Sequence, residues 1–336
     1  MPRSTAPRLA TARRSTILRI AGGLAAIVVV WQVGRQLAGQ LRALAAHPIA
    51  THPHWALVAA SGALFLLAHA TLVESWRTVL SCWDARLPFW SAARIWSVSN
   101  LGKYLPGKVW QIGAMGAMAR ELHVSPLAAS GSAILGALVN ILAGLVVGVV
   151  AGRDLLQPLL GGRASAAYAA IAVSLALLVA APWAVPRVAP LIARLVRRPL
   201  AIALPARAVV YSLVGNLTAW LIYGAAFQLF VAGILGHATG GYLHYLAAYT
   251  ISYVFGYLLL FAPAGLGVRE WAMNSVLISA ALMTAPEAAL VTVLSRVWLT
   301  LLEVTPGFLF WALHAARRPP SPELSDVPTR QDTRGA

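Results

Sequence analysis

The sequence predicts an all-α, polytopic membrane protein with about six full spans and two broken or re-entrant helix pairs arranged as an inverted repeat. Three observations predict it. The chain has 336 residues, of which 59% are hydrophobic and 11% charged, and its mean hydropathy is +0.73. A soluble domain carries about 25% charge, so a water-soluble enzyme is excluded, and so is a disordered chain. Apolar runs recur at the length of a helical span, about 20 residues, and no barrel-length strand alternation appears. Finally, proline and glycine interrupt the apolar sequence at two places of similar layout.

The chain opens on a basic arm, 1–16, that holds no acidic residue. The apolar runs follow as Ile17–Ala38, Trp55–Val79, Leu127–Ala151, Ala166–Val185, Ala208–Leu235, Leu243–Ala262 and Ala288–Leu313, with shorter stretches at Phe89–Ala119 and Trp271–Met283. Ala43-Leu44-Ala45 resembles a signal-cleavage site, but the topology closes with the first run retained as a membrane helix. Residues 17–316 read as one integral membrane domain, and the Pro-, Ser- and acid-containing 317–336 as a disordered cytoplasmic tail.

Basic residues set the orientation. Of 26 Lys and Arg, 20 fall in the N-terminal stretch from Arg3 to Arg19, in Arg77–Arg120, in 187–207 and in the tail, and 4 fall in the intervening loops. The positive-inside rule therefore places both termini in the cytoplasm of a multi-pass protein of the inner, or plasma, membrane. A net charge of +16 in short clusters between apolar runs does not form a basic face, so no nucleic-acid partner is expected. The single cysteine, Cys82, excludes an internal disulfide.

The first break is Asn100-Leu-Gly-Lys-Tyr-Leu-Pro-Gly-Lys-Val-Trp110 and the second is Phe261-Ala-Pro-Ala-Gly-Leu-Gly-Val-Arg-Glu270. Each precedes a short apolar stretch and then a second proline that opens a long helix, Pro126 lying 20 residues after Pro106 and Pro286 lying 23 after Pro263. The repeat-like halves are 88–151, entered from the cytoplasm, and 243–314, entered from outside, which is the layout of many secondary transporters. Proline frees a carbonyl and glycine permits a sharp turn. At membrane depth such backbone must be surrounded by protein or line a cavity. Each break thus ends one half-helix and begins another, whose free N–H groups suit an anion. Only two of the basic residues are lysine, Lys103 and Lys108, and they flank Pro106-Gly107. A compact ammonium at that turn, rather than a planar guanidinium, marks it as a site.

At these residues the sequence resembles the lysylphosphatidylglycerol synthase transmembrane-region family, a flippase-like membrane domain. The resemblance rests on Asn100 with Lys103-Tyr104-Leu105-Pro106-Gly107-Lys108-Val109-Trp110, and on Pro263-Ala264-Gly265-Leu266-Gly267-Val268-Arg269-Glu270. It covers about residues 15–316. It departs in one respect: the helix after the first motif often carries an acidic–basic pair in that family, and Ser130–Asn140 carries none, so no role for such a pair carries over. The resemblance implies handling of lipid head groups. In the best-known members a separate soluble domain performs aminoacyl transfer, which is not expected of this chain.

Ionisable residues within spans are further candidates. Arg296 and Glu303 lie seven apart on one face of the last run, Arg269 and Glu270 follow the second break, and Glu74 and Arg77 are placed to pair with each other. Asn140, Asn216 and Gln228 are expected to hydrogen-bond between helices, and Gly144 with Gly148 to mark close helix packing. His47, His52 and His54 share a proline-containing loop without the fixed geometry of a zinc site. His69, His244 and His314 are isolated and read as interfacial or packed. No Walker loop, nucleophile elbow or His-Glu-x-x-His stretch occurs, so neither ATP hydrolysis nor a cofactor is expected.

The resulting expectation is a translocase for an anionic phospholipid or a polyprenyl-phosphate-linked envelope precursor, with envelope-biosynthesis enzymes as possible partners. Its substrate-binding residues are Asn100, Lys103, Tyr104, Pro106, Gly107, Lys108, Pro263, Gly265, Gly267, Arg269, Glu270, Arg296 and Glu303. Glu270 and Glu303 are the candidate proton carriers. The alternatives are a membrane-embedded lipid-modifying transferase, with Glu270 or Glu303 as base, and a non-catalytic scaffold of an envelope-biosynthesis complex.

Overall fold

The computed structural model describes residues 52–104, 109–155, 164–196, 204–258 and 267–316, together with five isolated positions between 31 and 42. The basic arm, most of the first apolar run and the tail lie outside the described residues. Among the described residues all regular structure is helical. In chain order the helices are α1 (Trp55–Ser81), α2 (Phe89–Asn100) with a 3-10 turn at Leu101–Tyr104, α3 (Val109–Glu121), α4 (Pro126–Ala151), α5 (Ala164–Val196), α6 (Ala206–Leu235), α7 (Tyr242–Leu258), α8 (Val268–Ser279) and α9 (Ala285–Ala316). Five of them are long and apolar enough to cross a membrane: α1, α4, α6, α9 and the Tyr168–Val188 portion of α5.

The helix ends follow the expected chemistry. Ser125 caps α4 by accepting from the Ala128 N–H at 3.4 Å, with Pro126 at the first helical position. Ahead of α9, the Thr284 N–H and hydroxyl both donate to the Glu287 carboxylate at 2.8 Å. One boundary differs from the sequence expectation. The fourth run was expected to end at Val185 and give way to a basic loop, but α5 continues to Val196 through Pro182, Pro186 and Pro190. Proline keeps a helical φ and removes one donor each time. Here the spacing of four puts all three on one face, and the Arg187 guanidinium donates to the Trp183 carbonyl at 2.6 Å.

Two short-helix hairpins enter the bundle of long helices. In the first, Leu87 just ahead of α2, Ala92 of α2, and Met115 and Ala119 of α3 share an apolar cluster with the end of α1 (Trp76, Leu80) and the start of α4 (Ala129). In the second, the start of α7 (Tyr245, Leu246) and the end of α8 (Met273, Leu277) pack with the start of α9 (Ala288, Val291) and the first half of α1 (Phe65, Ala68). The first hairpin thus clusters with the end of α1 and the second with its middle.

The turns that leave them are built alike. His123 and Ala281 both have left-handed φ, 59° and 50°. The His123 N–H donates to the Arg120 carbonyl and the Val124 N–H to the Ala119 carbonyl, both at 3.1 Å. The Ala281 N–H donates to the Ile278 carbonyl at 2.9 Å and the Leu282 N–H to the Leu277 carbonyl at 3.1 Å. Each is a Schellman turn that closes a short helix and sends the chain into a long one.

The long helices approach closely where glycine allows it. A Cβ on Gly144 would lie 2.8 Å from a Val254 methyl, and one on Gly148 would lie 3.1 Å from Ile251, so α4 seats directly on α7. Between α4 and α6 the Asn140 amide donates to the Asn216 Oδ1 at 2.8 Å, and the Asn216 amide donates to the Ser212 carbonyl at 2.7 Å.

Candidate functional site

Residues of α1–α4 and α6–α9 line a cavity of about 190 Å³. Its charged lining comes from Lys103, Arg269, Arg296 and Glu303. Arg296 and Glu303 lie roughly 17 and 27 Å along a helix about 48 Å long, taking 1.5 Å per residue from Ala285. Both are therefore close to the middle of a membrane-length helix, and Arg296 is 6% exposed.

These two residues do not pair with each other. Glu303 pairs with Lys103 of the first hairpin, whose side chain is 19% exposed against 16% for Glu303. The Tyr104 hydroxyl also donates to Glu303 Oε2, at 3.3 Å. Arg296 Nε faces Glu270 Oε1 of the second hairpin at 3.4 Å. The seven-residue spacing read from the sequence thus puts one acid and one base on the same face of α9, and each reaches a different hairpin. Removing one member of a buried pair leaves an uncompensated charge and costs about 3–5 kcal/mol.

Arg269 takes a different kind of partner. It is 6% exposed, and its guanidinium lies over the rings of Tyr249 at 5.4 Å and Tyr253 at 5.1 Å. Desolvated cation–π contacts of this kind contribute up to about 2 kcal/mol. Its Nη2 is buried without a hydrogen-bond partner.

Several expected site residues have other tasks. The start of α8 was expected to offer free N–H groups to an anion. Gly267, at φ 83°, caps the helix, and its N–H donates to Glu270 Oε2 at 2.7 Å, so a carboxylate of the chain itself closes the cap. Glu270 and Gly267 therefore lie outside the cavity lining, as does Tyr104, which is fully buried and reaches the site through Glu303. Asn100 lines the cavity and accepts from the Gln111 amide at 3.4 Å across the first hairpin. Pro106, Gly107, Lys108, Pro263 and Gly265 lie outside the described residues.

The remaining ionisable groups sort as follows. Glu74 and Arg77 pair within α1, through Nε at 2.7 Å and Nη2 at 2.5 Å. His69 is buried and lines the cavity. His314 contacts Arg94 at 2.6 Å, tying α9 to α2. His47 lies outside the described residues, among which no metal-binding group occurs.

Sequence reasoning missed the tyrosines. Tyr245, Tyr249, Tyr253 and Tyr257 recur every fourth residue and so share one face of α7. Tyr249 stacks with Tyr253 at 6.5 Å and Tyr253 with Tyr257 at 6.3 Å. The period was legible, but it sat inside a run read only for its apolar content.

No family model matches the chain, and a comparison with curated proteins found no match.

Proposed function

We propose that this chain is a flippase-like translocase of an inner membrane, moving an anionic phospholipid or a polyprenyl-phosphate-linked precursor. In this reading the halves 88–151 and 243–314 are an inverted repeat of the lysylphosphatidylglycerol synthase transmembrane-region type. Six full spans, counting Ile17–Ala38, and two re-entrant hairpins place both termini in the cytoplasm. Supporting that arrangement are the 20-to-4 division of basic residues and the paired Schellman turns at His123 and Ala281.

The observation that carries the function is the cation excess at membrane depth. Three cations, Lys103, Arg269 and Arg296, meet two carboxylates, Glu303 and Glu270, both already paired. A phosphate cannot enter hydrocarbon unaided, because an isolated charge there is prohibitively costly. Beside these cations it would find the unpartnered Arg269 Nη2, while its acyl or isoprenoid chains stay in lipid. Alternating access would come from one half rocking against the other.

Purified protein in liposomes, supplied with fluorescent phosphatidylglycerol or a polyprenyl-phosphate analogue, tests the reading. The lipid should reach the opposite leaflet faster than in protein-free liposomes. Arg269→Met, which keeps an apolar stem over the two tyrosines, should slow it at least tenfold. No acceleration by the parent, together with Arg269→Met behaving like it, would replace this reading with the scaffold.

A further inference from the structure

The charges of the cavity are confined to three of the elements that line it. They come from the two hairpin tips and α9, through Lys103, Arg269, Arg296 and Glu303. Among the described residues, the lining supplied by α1, α3, α4, α6 and α7 contains no Lys, Arg, Asp or Glu. Its polar groups are neutral amides and hydroxyls, with the His69 imidazole on α1. Asn140 and Asn216 face each other across α4 and α6, and Gln111 reaches Asn100 across the first hairpin. Amides both donate and accept, which matches a hydroxyl, itself both donor and acceptor.

An ammonium would find no free carboxylate in the described lining. Glu303 is engaged by Lys103 and Tyr104. Glu270 is engaged by the Gly267 N–H and Arg296. The other way to hold a cation is an aromatic cage, but Arg269 already lies over Tyr249 and Tyr253, and the lining tryptophans, Trp76 and Trp96, are tilted against each other at 6.1 Å. Tyr223 stacks on Tyr249 at 5.7 Å, and Tyr257 stacks on Tyr253.

Resting on the translocase reading, we infer that the head group taken by this cavity is a phosphate ester of an uncharged polyol, such as glycerol, inositol or a hexose, and that aminoacylated head groups are rejected. The phosphate lies at the Arg269 side and the hydroxyls lie along the Asn140–Asn216 side. The discrimination is one of net charge: three cations and two paired carboxylates leave one positive charge, which the phosphate compensates, and a further ammonium has no counter-charge.

The test compares initial translocation rates in proteoliposomes for phosphatidylglycerol, phosphatidylinositol, a polyprenyl-phosphohexose and lysyl-phosphatidylglycerol, with hexose 1-phosphate as a soluble competitor. At least one polyol lipid should move tenfold or more faster than the lysyl ester. Asn140→Asp and Gln111→Glu, each placing a carboxylate in the neutral lining, should narrow that ratio to threefold or less. A lysyl ester moved as fast as every polyol lipid by the parent, or a ratio unchanged in both variants, overturns the polyol inference and leaves the translocase standing. No lipid moved by the parent overturns both. Hexose 1-phosphate that enters the vesicles as fast as the lipids flip overturns the lipid as the source of the polyol phosphate. Competition without entry supports the site.

Discussion

Two glycines on α4 separate the path from the packing. Gly136 lines the cavity, and a Cβ placed there meets nothing within 4 Å. Gly144 stands about two turns further along the same helix, where a Cβ would come within 2.8 Å of a Val254 methyl and 3.1 Å of the Trp220 ring. Glycine inside a helix is about 1 kcal/mol less favourable than leucine or alanine. Gly136→Leu should therefore leave the protein as stable as the parent or up to about 1 kcal/mol more stable, while its side chain fills the space between α4 and the charged lining. Gly144→Leu should do the reverse, because overpacking costs about 1–3 kcal/mol and exceeds the helical gain. Thermal unfolding in detergent and lipid flux in proteoliposomes, measured on both variants, give two independent readouts. Flux lost with stability kept is expected at 136, and stability lost at 144. If Gly136→Leu folds like the parent and transports at the parent rate, the cavity is not the route. If Gly144→Leu melts with the parent, α4 does not seat on α7 as described.

Three further outcomes follow from the same geometry. Lys103→Met and Glu303→Leu should each destabilise by about 3–5 kcal/mol, and the double variant should recover most of that loss, since the cost lies in the orphaned charge; a double variant as unstable as the sum of the singles would contradict the pairing. His123→Gly and Ala281→Gly should each raise the midpoint of unfolding by relieving a left-handed backbone worth about 1–2 kcal/mol, and unchanged midpoints would exclude the Schellman geometry. In a Cys82→Ser background, a cysteine introduced at Arg198 should react only with reagent supplied from the cytoplasmic side; strong labelling from outside would reverse the topology.

Much of the architecture was legible because a membrane reduces the choice to length and charge. The runs Trp55–Val79 and Leu127–Ala151 became α1 and α4 with boundaries shifted by at most two residues, since a helix satisfies every backbone group within its own segment and no barrel-length alternation competes. The breaks were visible because each joins proline to glycine, and the flanking helices α2, α3, α7 and α8 contain no proline. The pairing of charges was not visible. Lys103 and Glu303 are 200 positions apart, and only the hairpin brings the one to the other. From sequence alone, Glu303 had a nearer candidate in Arg296. Glu270 was read as a site residue, yet lying three positions after Gly267 it also fits a helix cap, which is how the fold uses it. The continuation of α5 to Val196 was hidden by three prolines that normally signal an end.

The two ion pairs of α9 have a consequence for how the proposed translocation could proceed. Each hairpin tip is held to α9 by one charge pair, Lys103 to Glu303 and Glu270 to Arg296. A tip cannot leave α9 alone, because the separated charges would be stranded at membrane depth at a cost of about 3–5 kcal/mol. A phosphate entering the cavity changes that balance. It offers Lys103 and Arg296 a second anionic partner and supplies Arg269 Nη2 with the acceptor it lacks. The bound anion then compensates the cations, and Glu270 keeps the Gly267 N–H of its own hairpin, so the second tip can leave α9, whereas the first would take Tyr104 as well as Lys103 away from Glu303. Under the proposed function, movement of a hairpin against α9 is thus coupled to occupancy by differential stabilisation of the separated state, which is the only means by which a ligand shifts a conformational equilibrium. A neutral or cationic head group supplies no such compensation, so the electrostatics that select the substrate also restrict the motion to the loaded protein.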